Sequence, residues 1–385
     1  MNAQQPHTPT KTKKIFVSAC EPSSNLHLKA LSKHLDTHLE ICGIFDKDSL
    51  QGLNASPSYT LKDFAVMGFF DVIKKIFFFK KALREMTQLA QTCDVILLMD
   101  SSSFNIPLAK GVKKAQSKVP IIYYILPQVW AWKAWRAKSI QAACDRLCAI
   151  LPFELMMYPE ATQTQKITYV GHPLLDEIPT LKNEIIPRQK GPIAFMPGSR
   201  KIEIKKIFPI FLEVAKQLDM PKILVIPEHF RSLDSQSLKA IYGEGLEHFE
   251  ISFDANATLL QSSFAFVCSG TATLQATLIG TPLVLGYKAR SIELNIAKIF
   301  VKLQCIGLAN IFYNALHSGS PRAGAHRIHT ELIQEDLTAE NLLKAYEQCD
   351  EQIFLNKAQE IRSYLGNGSA KNVAQIIESY LQETR

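Results

Sequence analysis

Short apolar runs alternate with longer stretches of mixed character along this chain, and the alternation sets its architecture. Ile15–Cys20 (IFVSAC) and Ile41–Phe45 (ICGIF) read as buried strands, with the turn Glu21–Asn25 and a helix from about Leu26 to Leu39 between them. Cys93–Asp100 (CDVILLMD), the run beginning at Val119 (VPIIYYI), Leu147–Glu154 and the run at Ile167 continue the pattern. Strand alternating with helix predicts a parallel sheet covered by helices on both faces. The segment Thr180–Pro192 is polar, charged and proline-bearing, and reads as a linker. The rhythm then restarts with the strand IAFM, the turn Pro197–Arg200, a helix containing Pro209, the strands KILVIP, HFEISF and FAFVCS, and a helical tail from about Glu340. The expectation is a pair of α/β domains, at 15–179 and 193–350.

Where strands end, the chemistry begins. In Cys268–Lys288 the run FAFV is followed by the turn Ser269-Gly270-Thr271, a helix stopping at Gly280, and the strand PLVLGY. The first amides of such a helix lack internal partners and carry the positive end of its dipole, which suits a phosphate. The turn does not spell GxxxxGK[ST], so a P-loop is excluded. Gly198-Ser199-Arg200 at the other strand-to-helix turn brings amides and a guanidinium together, apt for a pyrophosphate; pairing of Arg200 with a surface carboxylate is the alternative.

The first half offers candidates with two readings each. Asp100 stands at the carboxyl end of a strand, where open α/β sheets place ligands, and is either a helix cap or a general base. Glu21, Ser23 and Ser24 follow the first strand and are either ligand contacts or a cap. Asp46 and Asp48 form a DxD, a metal-holding signature in some sugar transferases, here inside a polar loop. Phe64–Phe79 is dense in phenylalanine, with Lys74, Lys75, Lys80, Lys81 and Arg84 crowding its second half; it is either a core helix or an amphipathic segment laid on lipid. Trp130, Trp132 and Trp135 interleave with Lys133, Arg136 and Lys138, a pattern suited to stacking on sugars, bases or a membrane interface. No RNP or KH pattern accompanies it, so nucleic acid is not an expected partner.

Composition narrows the class. The chain has 385 residues, 47% hydrophobic and 21% charged, with a formal net charge of +7 that favours an anionic partner. Its eight cysteines show no CxxC, as expected of reduced thiols in a cytoplasmic protein. Residues 1–14 are polar and read as a disordered arm rather than a signal peptide. No apolar run approaches the roughly 20 residues that span a bilayer, so membrane contact would be peripheral.

Taken in order, Ala19–Ser23, Val66–Phe69, Asp100–Asn105, Tyr124–Trp132, Leu151–Glu154, Val170–Pro173, Met196–Ile204 and Ser269–Leu274 resemble the motifs of the lipid-A-disaccharide synthase family. The resemblance implies a GT-B fold, in which two Rossmann-like parallel-sheet domains face a cleft and the C-terminal helices, 351–385, pack back on the first domain. It implies an inverting transfer from UDP-2,3-diacylglucosamine to 2,3-diacylglucosamine 1-phosphate at the inner face of the cytoplasmic membrane of a Gram-negative cell, without metal or other cofactor. Carried over by motif, Asp100 becomes the base and Arg200 a holder of the leaving diphosphate. Gly198, Ser199, Ser269, Gly270, Thr271, Thr273, Gln275 and Asn310 fall on the donor side, and Glu21, Ser23, Asn105 and Trp130 on the acceptor side. Met67, Phe69, Phe70, Phe77 and Phe78, with Lys74, Lys75, Lys81 and Arg84, form an acyl-chain and membrane face. The family is compatible with a homodimer.

The chain departs from the family pattern at the first turn, where Cys20, Ser24 and Asn25 replace two glycines and an aspartate. It departs again after Asp100, where serines replace Ala-Pro-Asp and leave no second carboxylate at Ser103, and at Gln275, where a glutamate is usual. Two other readings compete: a different GT-B enzyme acting on UDP-N-acetylglucosamine, and a non-catalytic peripheral membrane protein.

Overall fold

The computed structural model describes residues 12–65, 72–131, 133–288 and 304–383. The chain divides into a first unit, Met1–Asp176 with Asn367–Arg385, and a second, Glu177–Gly366.

The first unit is built on a seven-stranded sheet of β1 (Lys14–Ala19), β2 (Glu40–Ile44), β3 (Asn54–Tyr59), β4 (Val95–Met99), β5 (Ile121–Tyr124), β6 (Arg146–Ala149) and β7 (Ile167–Tyr169). Their order is β3-β2-β1-β4-β5-β6-β7, and every pair is parallel. Alternate residues serve opposite faces: Phe16, Ile96 and Leu98 enter one core, whereas Ile15, Val17, Val95 and Leu97 enter the other. Both faces are covered, which explains the unbroken apolar runs of the central strands. β3 was not expected. Its polar NASPSY alternates between exposed and half-buried positions, and it tolerates Pro57 because it is an edge strand.

In the second unit, β8 (Ile193–Met196), β9 (Lys222–Val225), β10 (Glu250–Ser252), β11 (Phe264–Cys268), β12 (Leu283–Tyr287) and β13 (Thr330–Ile333) form a six-stranded sheet in the order β10-β9-β8-β11-β12-β13. Phe195 and Phe266 stack at its centre with ring centroids 5.1 Å apart. The segment expected to be a linker is stitched into this unit. Lys182 is buried and donates to the carbonyl of Ser262 and the hydroxyl of Thr281, and Arg188 pairs with Glu351 and covers the ring of Tyr346.

The chain order reverses between β1 and β4 in one sheet and between β8 and β11 in the other. At such a switch point the connections leave in opposite directions and open a crevice beyond the carboxyl ends of the strands. Glu21 and Asp100 flank the first crevice; Gly198 and Ser269 flank the second.

Two boundaries differ from expectation. The first helix runs Pro22–Ser32 rather than from Leu26, because proline's fixed φ suits the first helical position. Of the C-terminal segment expected on the first domain, the helix Glu351–Leu365 belongs to the second unit. It buries Phe354, Leu355, Ala358 and Ile361 there, and Arg362 donates to the carbonyl of Leu278 at 2.7 Å. Only the last helix, Ser369–Glu383, joins the first unit, where Val373, Ala374, Ile377 and Leu381 complete the core beside β1 and β4. Its start is held by the Asp176 carboxylate, which accepts from the amides of Gly368 (2.6 Å) and Ala370 (3.0 Å).

Candidate active site

Asp100 sits at the end of β4 with φ of 51°, and Ser101 follows with φ of 41°; both are left-handed without being glycine. Such a backbone is strained and persists only where its surroundings over-determine it. Here they do. The Asp100 carbonyl accepts from the Tyr123 hydroxyl at 2.6 Å and from Asn105 Nδ2 at 3.0 Å, and its amide donates to Tyr124 at 3.2 Å. Asn105 is fully buried, also donates to Met99 O and receives Ser18 Oγ at 2.6 Å. It therefore bolts β1 to the turn that presents Asp100, and does not face the crevice as an acceptor contact.

The turn aims the Asp100 side chain into a recess of about 370 Å³ shared with Glu21, Ser102, Gln128, Lys133 and Arg136. Burial, reinforced by the negative charge of Glu21, raises the Asp100 carboxyl to about 6. That value suits a proton acceptor working near neutrality.

Trp130 is a correction. Its indole is 1% exposed and packs edge-on against Phe153 at 5.5 Å. It belongs to the core beneath the recess, not to an open aromatic face; Trp135, 69% exposed, is the surface tryptophan, and Trp132 lies outside the described residues. Ser23 is exposed on the first helix turn. The unusual Asn25 has a clear local reason. Its amide donates to the carbonyls of Ala19 and Glu21, which a carboxylate cannot do, while its oxygen accepts from the Asp46 amide and Ser49. Asp46 in turn accepts from the Leu61 amide, so this half of the DxD serves the loop.

In the second unit, Gly198, Ser199, Ser269, Gly270, Thr271 and Gln275 line a cavity of about 340 Å³. Gly198 adopts φ of +118°, and a Cβ there would lie 3.0 Å from Glu203 and 3.3 Å from Cys268, so the turn excludes any larger residue. Gly270 precedes the helix Thr271–Ile279, and the buried Thr273 ties its hydroxyl to the Gly270 carbonyl at 2.8 Å. Gln275 donates to Asn256 at 2.7 Å, a partner that no sequence motif marked. Arg200 is 80% exposed at the start of the helix Lys201–Lys216 and donates to Glu203 at 2.8 Å. Its carboxylate-paired alternative is thus the arrangement present.

Asn310 is a further correction. It is fully buried in the helix Leu308–Ser318, outside the lining of that cavity. Its amide donates to the His329 carbonyl and Glu331, and its oxygen accepts from the Ile328 and His329 amides. These bonds knit the helix to the chain entering β13.

The phenylalanine-rich stretch resolves into a two-faced helix, Val72–Ala90. Phe78 and Phe79 turn inward onto Tyr59, Phe64 and Phe104, so Phe78 is a packing residue and no part of an acyl-binding face. Ile76 and Phe77 are 50% and 70% exposed, and Lys80, Lys81 and Arg84 are exposed beside them. Lys74 and Lys75 fall in the first turn of this helix; Met67, Phe69 and Phe70 lie outside the described residues. Among the described residues no helix is long and apolar enough to cross a membrane.

Comparison with known proteins places this geometry. The lipid-A-disaccharide synthetase family model matches residues 15–374. A lipid-A-disaccharide synthase of Helicobacter acinonychis is 50% identical over 376 residues, 96% of this chain and 99% of that protein. One of Campylobacter jejuni is 43% identical over 379 residues, 95% and 99% of the two chains. Solved structures share the fold at low identity. MurG of Acinetobacter baumannii has a TM-score of 0.57 at 12% identity, covering 95% of this chain and 99% of its own. A UDP-GlcNAc 2-epimerase of Methanocaldococcus jannaschii has 0.55 at 16%, covering 96% and 99%. Two parallel-sheet units of GT-B type, and sequence kinship running almost from end to end, make this chain a member of the lipid-A-disaccharide synthetase family.

Proposed function

We propose that the protein joins a UDP-2,3-diacylglucosamine donor to 2,3-diacylglucosamine 1-phosphate, with Asp100 as the base. The supporting observation is the strained turn at the β1/β4 switch point, which holds one half-buried carboxylate with a raised pKa in a recess roomy enough for a sugar. The acceptor's C6 hydroxyl attacks the donor's anomeric carbon, its proton passes to Asp100, and the bond from that carbon to the diphosphate oxygen breaks with inversion. The Ser269–Thr273 turn and the amides at Gly198 and Ser199 receive the departing charge. Arg200 exchanges Glu203 for phosphate when the nucleotide arrives.

The substrates carry acyl chains, and the exposed Ile76, Phe77, Lys80, Lys81 and Arg84 supply what a peripheral enzyme needs to rest on an anionic bilayer. The test is incubation of purified protein with acylated donor and acceptor in mixed micelles, with disaccharide read by mass. Asp100→Ala should lower turnover by about 10²–10⁴ while leaving UDP affinity intact. Near-normal turnover in that variant removes Asp100 as base.

A further inference from the structure

The Asp100 recess is lined by both signs of charge. The carboxylates of Glu21 and Asp100 suit a hydroxyl nucleophile. Lys133 and Arg136 are its cations, and Ser102, Ser103 and Gln128 add neutral polar groups. Both cations are half-buried, which strengthens their hold on an anion relative to a fully solvated pair.

Their placement is enforced locally. Arg136 Nη1 donates to Ser102 Oγ at 2.8 Å. With that lone pair occupied, the Ser102 hydroxyl keeps its own proton to donate to an acceptor. Lys133 is held at φ of 53°, and the loop that carries it leaves β5 through Ile125 at φ of 60°, a conformation that a β-branched residue rarely adopts. Of the seven described non-glycine residues with left-handed backbone, Asp100 and Lys133 line this recess, Ser101 follows Asp100, and Ile125 begins the loop to Lys133. The serine at 103 also matters, because it lines the recess without adding a third carboxylate that would repel an anion.

We propose that Lys133, Arg136 and Ser102 form a subsite for the phosphate monoester of the acceptor sugar, and that they select a phosphorylated acceptor over an unphosphorylated one. This rests on the reading that the recess admits the acceptor. A guanidinium matches a phosphate in bidentate fashion, the lysine adds a point charge, and the hydroxyl supplies a third donor. Anchored by its phosphate, the sugar presents its far hydroxyl to the Asp100 carboxylate.

The test compares wild type, Lys133→Gln, Arg136→Gln, the double variant and Arg136→Lys on two acceptors: diacylglucosamine 1-phosphate and the same lipid without phosphate. Steady-state kinetics are paired with calorimetric binding of each acceptor in micelles, and with UDP binding. Each single change should raise KM or Kd for the phosphorylated acceptor roughly tenfold, and the double change on the order of a hundredfold. The unphosphorylated acceptor, poor with wild type, should suffer no further loss, and Arg136→Lys should recover part of the affinity. Equal losses on both acceptors overturn the subsite in favour of a structural role. Weakened UDP binding overturns it by assigning the cations to the donor. Failure of wild type to form disaccharide, with phosphate-dependent binding intact, refutes the catalytic reading and upholds the subsite. Turnover without phosphate preference does the reverse.

Discussion

Asp100 illustrates how a single side chain acquires chemistry from its neighbours. Its carboxyl is raised by burial and by Glu21, so it is ionised above about pH 6 and protonated below. Turnover should therefore climb as pH rises through about 6 and then level. Glu21→Gln removes a negative neighbour, and should shift that acid limb to lower pH in a pH-rate profile; an unmoved limb would assign it to another group. Glu154 is raised as well, with a consequence for stability. Burial raises it to about 8 although it accepts from the Ile150 and Leu151 amides. A carboxyl raised on folding contributes stability at low pH that is lost as pH rises through the folded value. Thermal melts of wild type should thus fall between about pH 5 and 8, and those of Glu154→Gln should be flatter. At this scale the sequence was an uneven guide. That Asp100 ends a buried strand was legible from the apolar run before it, while spacing alone left cap and base both open. Trp130 and Asn310 were not, since neither the mixed aromatic-basic pattern nor a motif position tells which way a side chain turns.

Elements were read better than their edges. Buried parallel strands announce themselves by continuous apolar runs, and the central strands of both sheets were recognised that way. The edge strand β3 escaped because half of its residues face outward and it includes a proline. The stretch Phe64–Phe79 had two readings on sequence grounds, and the core reading describes the inner face of the helix Val72–Ala90. Phe78, Phe79, Ala82 and Met86 pack inward, whereas Ile76, Phe77, Lys81 and Arg84 look outward. Because the outer pair packs on little, Ile76→Glu with Phe77→Glu should leave the melting temperature within a degree or two while abolishing flotation with anionic vesicles. Flotation equal to wild type would remove this helix as the lipid contact.

At the scale of the whole molecule, both candidate sites follow from topology: each sheet reverses its winding once, and the marked residues lie at those reversals. That much was implicit in the repeated strand-helix rhythm. The destination of the last helices was not, because Glu351–Leu365 and Ser369–Glu383 are both amphipathic and only packing decides which core each enters. Ile377 is 1% exposed within the first unit, so Ile377→Ala should destabilise that unit by about 2–5 kcal/mol in denaturant unfolding.

A lobe whose interior borrows Val373, Ile377 and Leu381 from a helix that follows the whole second unit cannot finish folding until that unit has been synthesised. Until then, the groove beside β1 and β4 stays open and adhesive, a natural substrate for a chaperone. A fragment ending at Asp176 should accordingly precipitate when expressed alone, and a peptide spanning 367–385 supplied separately should bring it into solution.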